Sequence, residues 1–273
     1  DTENCIRFAG EECNACQESC MFEAINYDEK DEELDLKVDA IIVSTGFQQH
    51  KPVAKYGWGT IDDVYNAFEF ERIFASNGPT TGEIKKKDGS EPKSIAIIHC
   101  VGRDENKYCS AVCCINSLKF IHYLKEKIED IKITNFYRDL CLPGKKYDKF
   151  AGDMKSLGTD FIRSDDIEIS SGDKSILVNY MNGDAKKQLP ADMVILSSSI
   201  EPQKDNNDLA KVLGIELDSF GFFQESDPDF GTETSTRDGI YIAGCAQAPK
   251  DIQNCVTQAQ SAVEKALFQF NLK

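Results

Sequence analysis

An α/β fold on a doubly wound sheet is predicted by two features of the sequence. Strand and helix patterns alternate through its middle, and three strands each run into a turn of small residues. The 273 residues, 41% of them hydrophobic and 10% aromatic, suffice for packed cores and about two domains. That composition excludes a disordered chain, a collagen and a disulfide mini-scaffold. With 47 acidic against 31 basic side chains the formal net charge is −16, which argues against nucleic acid or an anionic membrane surface and for a cationic or metal-bearing partner. The longest apolar runs, such as Ala40–Val43 and Met193–Leu196, are strand-sized, far short of the roughly 20 residues of a membrane span. No leader is visible, so a soluble, cytoplasmic protein is expected, and Asp1 in place of Met suggests that an N-terminal part is missing.

In chain order, residues 1–27 carry a cysteine-rich segment, and the acidic run Asp28–Glu33 predicts a solvated hairpin tip leading to Asp35–Val38. DAIIVSTGF is a strand ending in Thr45-Gly46. A stretch from Pro52 to Glu91, with Tyr56-Gly57-Trp58-Gly59 and a helix near Ala67–Ser76, leads to a strand at Ser94–Val101. Val112, Ile115, Leu118, Ile121 and Leu124 recur at helical spacing and predict a helix over Ser110–Lys127. Ile131–Phe136 is a strand, Tyr147–Leu157 a helix and Thr159–Ile162 a strand, completing a βαβαβ alternation. Residues 165–190 read as a β-meander around the turns Ser171-Gly172-Asp173 and Asn182-Gly183-Asp184. ADMVILSSS is the second strand to enter a small-residue turn, closed by Glu201-Pro202. Ser235–Ile242 is the third, followed by the turn Gly244–Asp251 and an amphipathic helix from Ile252 to Phe268.

Eight of the eleven cysteines fall into two groups. Disulfides need an oxidising compartment, for which the sequence carries no signal, so metal ligation is the better reading. Structural zinc sites come as two separated Cys-x2-Cys knuckles, whereas Cys13-x2-Cys16-x3-Cys20 reproduces the last three cysteines of the bacterial ferredoxin run around a 4Fe-4S cluster. Gly10 stands where that run has its first cysteine, and Met21 replaces its proline. Cys5 can supply the missing ligand across a seven-residue loop, or Cys20 can serve a neighbouring cluster. In the second group, CVGRDENKYCSAVCC fills a strand-to-helix loop that would be glycine-rich in a nucleotide-binding protein. Cys100 ends the strand, Cys109 and Cys113 share one face of the first helical turns, and Cys114 lies about 100° around. Four thiolates can thus meet at the positive end of a helix dipole. A strained disulfide between the adjacent Cys113 and Cys114 is disfavoured. Cys141 and Cys255 read as small hydrophobes, His99 as a core residue or a support for the second cluster, and Arg103 as that cluster's charge partner. His50 and His122 share no ligand spacing, and Lys85–Lys87 is a solvated loop. The third strand–turn–helix unit is a device for docking a phosphate or flavin.

DLKVDAIIVSTGFQ, YGWG, FERIFASNGPTTGEI, SIAIIHCVGRDENKYCSAVCCINSLK, ITNFYRDL and TSTRDGIYIAGCAQAPKDI together resemble the heterodisulfide reductase A-subunit family of iron–sulfur flavoproteins, in its C-terminal half. The cysteine-bearing stretch is the most specific. The resemblance implies a thioredoxin-reductase-like, two-dinucleotide-binding fold: a ferredoxin-like 4Fe-4S segment (1–27), part of an FAD domain (28–92), an inserted Rossmann-like domain holding a second cluster (93–200), and the rest of the FAD domain (201–273). It implies a flavin against Thr45, Gly46, Gly244, Cys245, Gln247, Lys250, Asp251 and Ile252, with Lys250 stabilising a reduced anionic flavin. No G-x-G-x-x-G follows any strand, so the FAD pyrophosphate loop is expected on a missing segment or another subunit. Cys245 stands where an acidic residue is usual, leaving a backbone amide or Gln247 for the ribityl contact. The absence of a C-terminal ferredoxin module implies a shortened electron route.

The expected function is electron relay between 4Fe-4S clusters on Cys5, Cys13, Cys16, Cys20 and on Cys100, Cys109, Cys113, Cys114 and an FAD, with flavin-based bifurcation as its extension. Expected partners are heterodisulfide-reductase B/C-like subunits, hydrogenase or formate dehydrogenase modules, or an acyl-CoA or quinone reductase. The rival readings are a pyridine-nucleotide-dependent flavin reductase, against which the missing glycine fingerprints count, and a zinc-bearing assembly module.

Overall fold

The computed structural model describes residues 2–173 and 175–271, Phe270 and Asn271 by backbone only. Asp1, and Lys174 within the expected meander, lie outside the described residues. The chain divides into two compact units, Asp1–Val38 and Asp39–Lys273. Among the described residues, no helix is long and apolar enough to cross a membrane.

In the first unit the helix α1 (Ala15–Ser19) is just over one turn long, and no described residue is buried. The segment therefore has no apolar core of its own. The hairpin expected around residues 28–38 does not form: these residues contain no strand and are exposed throughout, and the Asp28 amide turns back to donate to Asn26 Oδ1. Closely spaced carboxylates repel one another there, and no buried face rewards pairing.

The second unit opens with β1 (Ile41–Val43), β2 (Gln48–Gln49) and β3 (Val64–Asn66), which leads into the helix α2 (Ala67–Phe74). Asn66 caps that helix in a reciprocal box: its side chain accepts from the Glu69 amide, and the Glu69 carboxylate accepts from the Asn66 amide. Next come β4 (Ser94–Val101), the one-turn α3 (Arg103–Asn106), α4 (Cys113–Lys127), β5 (Lys132–Tyr137), α5 (Tyr147–Ser156) and β6 (Asp160–Arg163). The meander is β7 (Ile167–Ser171), β8 (Ile176–Asn182) and β9 (Ala185–Ala191), followed by β10 (Met193–Ser198), β11 (Ile200–Glu201), α6 (Asn206–Leu213), β12 (Ile240–Ile242) and α7 (Ile252–Asn271).

A five-stranded sheet of order β3-β10-β4-β5-β6, parallel throughout, forms the centre of this unit. Period-two alternation sends Ile95, Ile97, Met193 and Ile195 to one face, where they pack with Leu118, Ile121 and Leu124 of α4 and Met154 of α5. Ala96, Ile98, Val194 and Leu196 point the other way, onto Ile169 and Val178 of the meander. Helices thus cover one face and the β7-β8-β9 sheet the other, where a doubly wound sheet carries helices on both. Separately, β1 pairs in parallel with β12, and their side chains divide between Phe223 with Ala210 and Ala262 with Ala266 of α7. The strand expected over Ser235–Ile242 narrows to its last three residues. A turn occupies the rest: Gly239 takes φ +80°, the Ser235 amide donates to the Ile240 carbonyl, and Ser235 Oγ donates to the Arg237 carbonyl.

Candidate functional site

The parallel sheet places the ends of β4, β5 and β10 at one edge, and the second cysteine group occupies it. The backbone is left-handed at Cys100 (φ +60°) near the end of β4, and beyond the strand at Gly102 (+91°), Lys107 (+62°) and Ala111 (+58°). The left-handed residue at Ala111 is why helix α4 starts at Cys113 and not at Ser110. Cys109 consequently stands in the loop, not on the helical face expected for it. A Cβ at Gly102 would lie 2.5 Å from the His50 ring and from Ser199 Oγ, so only glycine lets this turn pass beneath them.

Next to it, the segment after β5 brings Asp139. Arg103 Nη1 lies 3.9 Å from Cys100 Sγ and donates to Asp139 Oδ2 at 3.1 Å, and Cys114 Sγ donates to the Asp139 carbonyl at 3.8 Å. The Ala111 amide donates to Cys109 Sγ at 3.4 Å. Cys113 and Cys114 lie within hydrogen-bonding reach of each other. The Cys113 thiol is pushed up by its bond to Cys114, by burial and by the Cys114, Cys109 and Cys100 charges. Cys114 is drawn down by the same bond and by His99 beside it. Burial raises Cys100. Among the described residues, no three His, Cys, Asp or Glu side chains stand in metal-coordinating geometry. The donor set nonetheless suits an iron–sulfur cluster: four thiols near one another, an amide and a guanidinium directed at sulfur, and the N-terminus of a 15-residue helix.

In the first unit, Cys20 accepts from the Ala24 amide at 3.4 Å, and the amides of Ala24, Phe22 and Glu23 hold its thiol below the ordinary range. Tyr27 hydrogen-bonds Cys16, lies close to Cys13, and is covered by the Arg7 guanidinium 4.1 Å from its ring centre. Cys20 thus stands among amide donors, while Cys13 and Cys16 lie beside Tyr27 and the Arg7 guanidinium that covers it. Cys5 is half-buried, and its carbonyl accepts from the Ala9 amide.

A cavity of ≈760 Å³ opens between the N-termini of α4 and α7. Its size suits a cofactor. Phe47, Phe68, Ile115 and Ile200 make it apolar, and Cys113 lies in its wall. Of the residues expected to meet a flavin, Lys250, Asp251 and Ile252 line it. The other five are not lining residues. Thr45 accepts from Gln203 through its carbonyl, Gly46 turns the chain at φ +76°, and the Gly244 amide donates to Gln258 Oε1 at 2.8 Å. Cys245 is buried against Ile200 and Phe222. Gln247 instead accepts from Lys250 Nζ and donates to Glu225 Oε2 at 3.2 Å, which fixes the lysine. Burial lowers the Lys250 ammonium from its usual range. Sequence reasoning missed Lys119, which lines the cavity and donates to Glu71 Oε2 at 2.6 Å, and Asn116 between it and the thiols. Their signal was the spacing Cys113, Asn116, Lys119, one face of a helix.

No family model matches the chain. The A-subunit of the H(2):CoB-CoM heterodisulfide,ferredoxin reductase of Methanothermobacter thermautotrophicus is 35% identical over 277 residues, covering 97% of this chain and 41% of the relative. The iron-sulfur A-subunit of the CoB–CoM heterodisulfide reductase of Methanocaldococcus jannaschii is 36% identical over 275 residues, with 96% and 41% covered. The chain is a homologue of the heterodisulfide reductase A-subunits. It spans about two fifths of the length of these curated relatives. Solved flavoproteins share the fold of this heterodisulfide reductase homologue. T. acidophilum thioredoxin reductase superposes with TM-score 0.56 at 14% identity over 86% of this chain and 66% of its own. The flavoprotein disulfide reductase RclA of Escherichia coli gives 0.54 at 18% identity, over 84% and 44%. The fold is thioredoxin-reductase-like, as expected from the sequence.

Proposed function

We propose that the chain is an electron-transfer subunit of a heterodisulfide-reductase-like oxidoreductase complex. One 4Fe-4S cluster would lie on Cys100, Cys109, Cys113 and Cys114, a second on Cys5, Cys13, Cys16 and Cys20, and a flavin in the cavity. The observation that carries this reading is Cys113, which belongs at once to the thiol group and to the cavity wall. A cluster and a flavin held there would be neighbours without an intervening protein layer. When bound, these groups exchange single electrons for electron pairs. The chain's own residues position and insulate them. Phe47, Phe68 and Ile200 exclude water from the cavity, while Lys119 and Lys250 at its rim offer cations to developing negative charge. Arg103, bridging Cys100 and Asp139, offsets thiolate charge on the far side. Proteins that handle a disulfide substrate, hydrogen or formate are the proposed partners, by the names of the relatives.

Anaerobic purification with iron, acid-labile sulfide and flavin counts, and EPR of the dithionite-reduced protein, tests this. About eight iron and eight sulfide per chain are expected for two clusters. Cys113→Ser is expected to remove about half of the iron and to change the visible spectrum of added FAD. Stoichiometric zinc without sulfide would overturn the proposal.

A further inference from the structure

The loop after β5 carries a thiol that the two cysteine groups leave out. Strands β4 and β5 pair in parallel with Ile98 opposite Phe136, so Val101 and Asp139 leave the same sheet edge at the same level. Cys141 follows Asp139 by two residues and is half-buried. Its neighbour Leu142 packs into the core between the sheet and α4, so the fold holds the thiol where it is. The Cys141 side chain lies beside that of Cys109 and near Cys114 and Arg103. Its backbone amide is directed at the Cys114 thiol. Cys141, expected from the sequence to be a small hydrophobe, thus lies at the same sheet edge as Cys100, Cys109, Cys113 and Cys114.

We propose that Cys141 is an alternative cluster ligand, competing with Cys109 for one iron position. The inference rests on the cluster assignment made above. Cys109 is the partner in this competition because it is exposed on a loop free of helical constraint and lies beside Cys141, whereas Cys113 and Cys114 are fixed in the first turn of α4. In the exchange one iron–sulfur bond breaks and one forms. The Cys141 thiol gives up its proton, the departing Cys109 thiolate takes it, and no electron changes place.

The test uses the full chain, purified anaerobically and reconstituted with ferrous iron and sulfide, as wild type, Cys109→Ser, Cys141→Ser, the double variant and Cys100→Ser. Iron and sulfide are counted, EPR of the reduced protein is recorded, and far-UV circular dichroism confirms folding. Cys100→Ser and the double variant are expected to fall from about eight iron to about four. Each single variant at the shared position is expected to keep its iron, Cys109→Ser with an altered EPR signal. Iron loss in Cys109→Ser equal to that in the double variant overturns the proposal, as does retention of iron in the double variant. If Cys100→Ser loses no iron, the cluster assignment itself fails, and that result is distinct from either.

Discussion

Gly102 is the position at which the turn carrying Cys100 can be tested without touching a thiol. Its φ of +91° costs an L-residue about 1–2 kcal/mol. An added Cβ would also meet the His50 ring at 2.5 Å and Ser199 Oγ at 2.5 Å. His50 is only 8% exposed and cannot swing aside, because its amide donates to the Ser199 carbonyl at 2.9 Å and its Nδ1 is 2.5 Å from Glu201 Oε1. Overpacking of this kind adds about 1–3 kcal/mol. Gly102→Ala should therefore destabilise the chain by ~2–5 kcal/mol, a large share of the roughly 5–15 kcal/mol typical of a domain. Gly46→Ala is the matched control: φ is +76°, but nothing lies within 4 Å of the added carbon, so only the conformational cost applies. Urea unfolding of the cluster-free chain, followed by circular dichroism, measures both. A Gly102→Ala midpoint no lower than that of Gly46→Ala would refute the steric argument.

Three further outcomes are expected. Asn66→Ala removes the cap of α2 and should cost about 1 kcal/mol in the same unfolding assay, whereas Asn66→Asp should cost less. Lys119→Ala should weaken FAD binding about tenfold or more, since a hydrogen bond to a charged group is worth ~1.5–3 kcal/mol, and a fluorescence titration reads it directly. Glu233 gives a pH-dependent prediction. Burial alone would raise its carboxyl, but bonds from Lys265, its own amide and Thr232 outweigh that, so its folded pKa lies below the unfolded value near about 4.3. Its stabilisation is thus present above that unfolded value and lost as pH falls through the folded one. The stability gap between wild type and Glu233→Gln should be constant from about pH 7 to about 5 and close below about 4.

Much of the central architecture could be read from the residues because periodicity reports directly on burial. The alternation of Ile95–Ile98 and Met193–Leu196 places these strands between two apolar layers, and the spacing of Leu118, Ile121 and Leu124 identifies the helix that covers one of them. The cysteine groups were visible by spacing. Failures came where the signal was local chemistry without periodicity. The acidic run 28–33 looked like a hairpin tip but has no partner strand, and Ala111 delays α4 by adopting a left-handed conformation that no sequence rule assigns to alanine. Lys119 and Glu71 were unreadable as a pair because they are 48 residues apart.

By itself, the sequence determined which residues could be ligands, which strands are buried on both faces and which family the chain resembles. All of these depend on residue type and short spacing. Only the tertiary structure decided that the loop after β5 sets Cys141 beside Cys109 from across a whole helix and strand of chain, and that α4 and α7 both point their N-termini into one cavity with Cys113 in its wall. The physical reason is that parallel pairing deposits every loop that follows a strand at one edge of the sheet, so residues remote in sequence meet there by topology and not by any local preference.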